Sequence, residues 1–173
     1  MTTFIDSLPA SSPISRIRRN HGLEHATIHL LSRQHPRTSM AGHSDAGGFW
    51  ILGDLETEAV ERAVETALAR LQTGEAGLAI HPNCGTNFAT SGMVAGLAAA
   101  LAMFGAGERT SEKLERLPLA VLFATLGLIV ARPLGFYIQA NITTSGHPDA
   151  LEVVQINPTR RGKITAHRVV TRG

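Results

Sequence analysis

The chain contains a single cysteine, Cys84. One thiol cannot build an internal disulfide framework, and that scarcity suits a reducing compartment. Aromatic residues are also few: one Trp, one Tyr and six Phe in 173 residues. A single-stranded nucleic-acid platform needs stacked aromatics, and a formal net charge of +2 is too small to hold a duplex by electrostatics alone. No nucleic-acid partner is expected. Residues 1–14 hold Pro9 and Pro13 but no apolar run, so they lack the pattern of a secretory signal peptide and read as a flexible lead-in. Long apolar runs are missing from both flanks and concentrate between Ser91 and Ala140.

The flanks read as soluble protein. Ser15 can cap a helix running to about Arg33, with Leu23, Ala26, Leu30 and Leu31 as its apolar side and Pro36 marking its end. Residues 35–47 are loop-like. Gly48–Gly53 reads as a short buried strand. Asp54 then serves as an N-cap for a helix in which Val60, Val64, Ala67, Leu68 and Leu71 recur at helical spacing, closed by Gly74. Gly77–His81 is a second strand candidate. At the C-terminal end, Leu151–Ile156 and Lys163–Val170 alternate around a turn at Asn157–Gly162, the pattern of a β-hairpin.

The middle is different. Ser91–Gly107 is about one bilayer's length of uncharged sequence, with Gly92, Gly96 and Ala100 spaced four apart, a spacing that lets helices approach closely in lipid. Glu108–Arg116 is a charged turn, and Leu117–Val130 with Leu134–Ile138 forms a second apolar run around Arg132 and Pro133. A transmembrane helical hairpin follows as the expectation; a buried hairpin of a soluble protein is the alternative. Two spans place both flanks on one side. Those flanks carry more Lys and Arg than the hairpin turn, so the positive-inside rule puts the soluble parts in the cytoplasm, at the cell (inner) membrane. The expected class is α+β, mainly helical, in four parts. These are the lead-in 1–14, a soluble α/β metal-binding part 15–89, a membrane hairpin 90–140 and a β-hairpin tail 141–173 packed on the soluble part.

Histidine is the one abundant chemical resource, with eight residues. His21-Gly22-Leu23-Glu24-His25 places two imidazoles four apart, on one helix face, where they can grip one metal ion. The order is the inverted one, H-x-x-E-H, which leaves Glu24 available as a general base. His29 extends the stripe. His81-Pro82-Asn83-Cys84 sets an imidazole and a thiol three apart in a tight turn, and tetrahedral zinc accepts both donors. His21, His25, His81 and Cys84 are therefore the candidate metal ligands, zinc (Zn) the candidate cofactor and Glu24 the candidate catalytic residue. If all four bind, the site is closed and structural; if three bind, one position stays open. His35, His43, His147 and His167 read as ordinary loop or strand residues.

The H-G-L-E-H (21–25) and H-P-N-C-G-T (81–86) elements resemble the YqhQ-like bacterial membrane proteins, an uncharacterised family with predicted metal dependence. Pro133-Leu134-Gly135, Gln139, Thr143-Thr144, Pro148-Asp149 and Glu152-Val153 follow in the order that family uses after its last span. By the resemblance, His21, Glu24, His25, His81 and Cys84 fall on its motif positions. It implies membrane residence and a metal but no established reaction. The sequence departs from it at Ser145-Gly146-His147, where an Arg-Glu pair is expected. The chain is also shorter than the family's members, so a neighbouring family of unknown function fits as well.

Three functions remain open at this point. One is an integral membrane protein whose His/Cys metal site is structural or regulatory. Another is a membrane-bound zinc-dependent, peptidase-like hydrolase using Glu24. The third is a metal-free soluble domain. The expected partner is the lipid bilayer, with a membrane-protein partner or a second copy of the chain left open.

Overall fold

The computed structural model describes residues 8–161 and 164–173. It is an α+β structure with four α-helices and one four-stranded antiparallel sheet. It divides into two compact units, Met1–His81 with Ala140–Gly173, and Pro82–Gln139. The first seven residues of the expected lead-in lie outside the described residues.

In the first unit, helix α1 spans Pro13–Gln34. Ser12 accepts a hydrogen bond from the Ser15 N–H at 3.2 Å, and Pro13 occupies the first helical position, where a missing N–H costs nothing. Almost every residue from Arg18 to Leu31 is buried. Few helices are buried all round, and α1 is so because β1, β2 and α2 pack on it from different sides.

Strands β1 (Ala41–Asp45), β2 (Gly48–Leu52), β3 (Glu152–Arg161) and β4 (Ile164–Arg172) form a sheet in the order β1-β2-β4-β3, antiparallel throughout. Phe49 and Ile51 of β2 turn inward and are fully buried, whereas Trp50 and Leu52, which alternate with them, are half-buried, the period-two signature of a strand. They meet Leu23, Ala26 and Leu31 of α1, Val169 of β4, and Val60, Val64 and Ala67 of helix α2 (Thr57–Gln72) in one core. Side chains of the Val, Leu, Ile or Phe type contribute about 1.5–3 kcal/mol each when fully buried.

Several sequence expectations change here. Residues 41–45, read as loop, form edge strand β1, joined to β2 by the tight turn between the Asp45–Gly48 pair. The cap of α2 is Glu56, not Asp54. Gly77–His81 is not a strand: Ala76–Ala79 forms a 3-10 turn, and among the described residues it lies outside the sheet. The tail hairpin is longer than expected. Strand β3 runs through Asn157-Pro158 to the Arg161–Ile164 pair, and an edge strand tolerates a proline whose N–H would face solvent. Gly162 and Lys163, part of the expected turn and second strand, lie outside the described residues.

In the second unit, helix α3 spans Gly85–Met103 and helix α4 spans Thr110–Ile138. The expected charged turn is shorter, because α4 starts at Thr110, where the Glu112 carboxylate accepts the Arg109 N–H at 3.2 Å. The two helices pack against each other along small residues. Gly127 lies against the Ala95 backbone, and Gly135 against Asn87. Both helices are long and apolar enough to cross a membrane. Gly92 and Gly96 face open space instead of α4.

Candidate metal centre

Helix α1 carries His21 and His25 one turn apart, with ring centroids 4.3 Å from each other. The 3-10 turn after α2 delivers His81 to the same place. Its ring lies 5.6 Å from that of His25 and 4.7 Å from that of His29, a further turn along α1. The first unit thus gathers four imidazoles, His29 included. His29 lies outside the motif positions, and its place one turn further along the same stripe is the signal that pointed to it.

Backbone carbonyls orient three of these rings. A carbonyl can only accept, so the ring nitrogen facing it must carry the proton. His25 donates from Nδ1 to the Ala79 carbonyl at 2.7 Å, and His21 donates from Nδ1 to the Thr143 carbonyl at 2.9 Å. In their neutral form both rings therefore carry the lone pair on Nε2. His29 is turned the other way, donating from Nε2 to the Ile80 carbonyl at 2.8 Å, which leaves its lone pair on Nδ1. Metal-binding histidines characteristically donate their second ring N–H to such an acceptor, which fixes both tautomer and ring plane. Burial, reinforced by the neighbouring His29 and His25 rings, pushes the His81 pKa down to about 4, so that ring is neutral near pH 7.

Gly22 explains part of this arrangement. A Cβ at position 22 would stand 2.0 Å from the Ser145 carbonyl oxygen. Without one, the backbone at Ser145 lies directly on α1, its N–H donating to the Arg18 carbonyl at 2.9 Å. That contact lays the preceding residues along the helix and presents the Thr143 carbonyl to His21.

Glu24 is buried and leans toward β1. The Ser44 hydroxyl donates to its carboxylate, and a Cβ on Gly42 would stand 2.1 Å from its Oε1. Burial raises its pKa above the ordinary carboxylate value; the Ser44 hydroxyl and the charges of His21 and His43 oppose that rise. Sequence spacing could not reveal Gly42 or Ser44 as the groups that enclose Glu24, since both lie on a strand that reads as loop.

Cys84 belongs to the second unit, where it is the N-cap residue of α3. Of the remaining histidines, His167 is fully buried on β4, with Nε2 at 3.2 Å from the Thr57 hydroxyl. The His147 N–H donates to the Ser145 hydroxyl at 3.2 Å.

The model of a domain of unknown function, DUF6391, matches residues 16–156. The chain belongs to the DUF6391 family. In this DUF6391 protein the matched region runs from the first turn of α1 into β3, and so takes in the imidazole cluster and both apolar helices. An uncharacterised protein of Picosynechococcus sp. is 34% identical over 174 residues, spanning 91% of this chain and 80% of that protein. No solved structure matches the chain. The expectation of an uncharacterised family therefore holds, and the family shown is DUF6391.

Proposed function

We propose that this DUF6391 protein is an integral membrane protein that binds a transition metal ion, zinc by preference, in a structural or regulatory role. In this reading helices α3 and α4 form the membrane-spanning hairpin, and the motif residues His21, His25, His81 and Cys84 supply the ligands. The observation that carries the metal reading is the orientation of His21 and His25. Each spends its Nδ1–H on a backbone carbonyl and keeps a lone pair on the other nitrogen, side by side on one helix face. Cys84 follows His81 by three residues, so its Cα lies within about 11 Å of that of His81 along the chain. A thiolate with neutral imidazoles suits tetrahedral zinc in charge and softness. The motif likeness to the YqhQ-like proteins points the same way.

The membrane reading rests on the surfaces of α3 and α4. Phe88, Met93, Leu97 and Leu101 of α3, and Val121, Leu122, Ile129 and Val130 of α4, are each more than half exposed. Helices apolar on every side belong in a core or in lipid. Lysine and arginine are more numerous on the flanks than in the α3–α4 connection, which favours an inner-membrane location with the flanks in the cytoplasm.

The hydrolase reading has one observation in its favour: Glu24 stands within the H-x-x-E-H element, and burial raises its pKa. Against it, the carboxylate is enclosed by Gly42 and bonded by Ser44. We therefore assign Glu24 a positioning role on α1. Metal content, thermal unfolding and peptidase turnover of the detergent-solubilised protein distinguish the readings. His25→Ala should lose metal and stability, whereas Glu24→Gln should retain metal. Turnover by the wild type that Glu24→Gln abolishes at unchanged metal content would establish the hydrolase instead. Wild-type protein without stoichiometric transition metal would remove both. Recovery in the soluble fraction without detergent would overturn the membrane reading.

A further inference from the structure

From Leu117 to Ile138, helix α4 holds a single charged residue, Arg132. The stretch from Leu117 to Ala131 supplies only about 15 residues, short of the roughly 20 that a bilayer core requires. A membrane-spanning α4 must therefore continue through Arg132 toward Tyr137 and Ile138. It carries the Arg132 side chain into the apolar layer with it.

The two arginines of α4 are treated differently. Arg116 folds onto the end of α3, donating from Nη1 to the Ala102 carbonyl at 3.2 Å and to the Phe104 carbonyl at 3.4 Å. Arg132 is exposed, and among the described residues nothing bonds to it. Leu128 and Ile129, one turn before it on the same side of the helix, are exposed and apolar. A cation on such a surface is costly in hydrocarbon unless an anion meets it or it reaches the interface.

A second copy of the chain does not supply that anion. The carboxylates of this unit are Glu108, Glu112 and Glu115, all at the opposite end of the helix pair. Two copies inserted the same way would bring Arg132 level with Arg132. A phospholipid headgroup does fit. Arg132 lies six residues before the end of α4, about 9 Å along the axis, and its long side chain can extend outward toward the interface. Tyr137, 59% exposed near that end, is of the residue type that gathers at headgroup level. The positive-inside orientation puts this end in the cytoplasmic leaflet, where anionic lipids reside.

We propose that Arg132 binds the phosphate of an anionic phospholipid and holds it against the cytoplasmic end of α4. The inference rests on the membrane reading of α3 and α4.

The test uses the full-length, delipidated protein in neutral detergent, titrated separately with phosphatidylglycerol and phosphatidylcholine, with bound lipid counted by native mass spectrometry. Wild type should retain phosphatidylglycerol in preference to phosphatidylcholine. Arg132→Leu replaces the cation with a side chain suited to an apolar surface, so the helix pair should stay intact. Loss of the charge-assisted contact should weaken phosphatidylglycerol binding by roughly tenfold, and Arg132→Lys should keep most of it. Lys113→Gln removes an equal charge from the other end of the hairpin and should bind as wild type does. Equal retention of the two lipids by wild type would overturn the proposal. So would unchanged binding in Arg132→Leu, which would leave the Arg132 face to an acidic membrane protein, or an equal loss in Lys113→Gln, which would mean diffuse charge attraction. Failure of the membrane reading shows separately, as recovery of wild type in the soluble fraction without detergent.

Discussion

At position 22 a methyl group has nowhere to go, because the Ser145 carbonyl occupies the space. The glycine of the H-G-L-E-H element is thus a packing requirement of the imidazole cluster, and the same logic at Gly42 gives Glu24 its place beside Ser44. The outer side of the sheet offers a cleaner electrostatic test. Arg168 grips Asp45 with two hydrogen bonds of 2.8 Å and lies 5.4 Å from the Trp50 ring centre. The Arg168 hydrogen bonds hold the Asp45 carboxyl below its ordinary pKa of 3.8, against a smaller opposing effect of burial and with help from the Gly47 N–H. A depressed carboxyl pKa stabilises the folded state above the unfolded value and loses that contribution as pH falls through the folded one. The Asp45 side chain is 46% exposed, which limits the pair to roughly 0.2–1 kcal/mol. Asp45→Asn should therefore lower thermal stability modestly near pH 7, and the gap from wild type should close as pH drops below the folded-state pKa. A gap that stays constant down to that pH would contradict this reading of the pair.

Among the elements, α1 was the most legible: its apolar spacing and its two motif histidines read directly from residue order. The α2 periodicity and the alternation of the tail were legible for the same reason. Strand β1 was not, because Ala41-Gly42-His43-Ser44-Asp45 has neither β-branched residues nor alternation; its pairing with β2 and the burial of Glu24 behind it make the strand. The 3-10 turn was misread as a strand because a short apolar run does not reveal its own period. Nor can spacing show that the carbonyls of Ala79, Ile80 and Thr143 fix three imidazoles. The small residues of the hairpin divide in a way their sequence did not disclose. Gly127 lies against α3, with the Ala95 Cα 3.0 Å from where its Cβ would be, whereas Gly92 faces open space. Gly127→Leu should consequently destabilise the α3–α4 pair by about 1–3 kcal/mol, the usual range for overpacking, and Gly92→Leu should do far less. Denaturation of the detergent-solubilised protein measures both, and equal effects would contradict the observed helix contact.

For the whole molecule, two kinds of sequence share one chain of the DUF6391 family: an α+β unit that collects imidazoles, and a pair of apolar helices whose outward side chains are mostly apolar. Composition made that contrast visible before any coordinates. What composition could not supply is the rotation of each ring, which depends on where distant backbone segments cross α1. X-ray absorption at the metal edge of the purified protein tests the central proposal most directly. A zinc signal with mixed nitrogen and sulfur neighbours, at about 2.0–2.1 Å and about 2.3 Å, is expected, with the sulfur shell lost in Cys84→Ser. A metal surrounded only by oxygen, or a sulfur shell that survives Cys84→Ser, would contradict it.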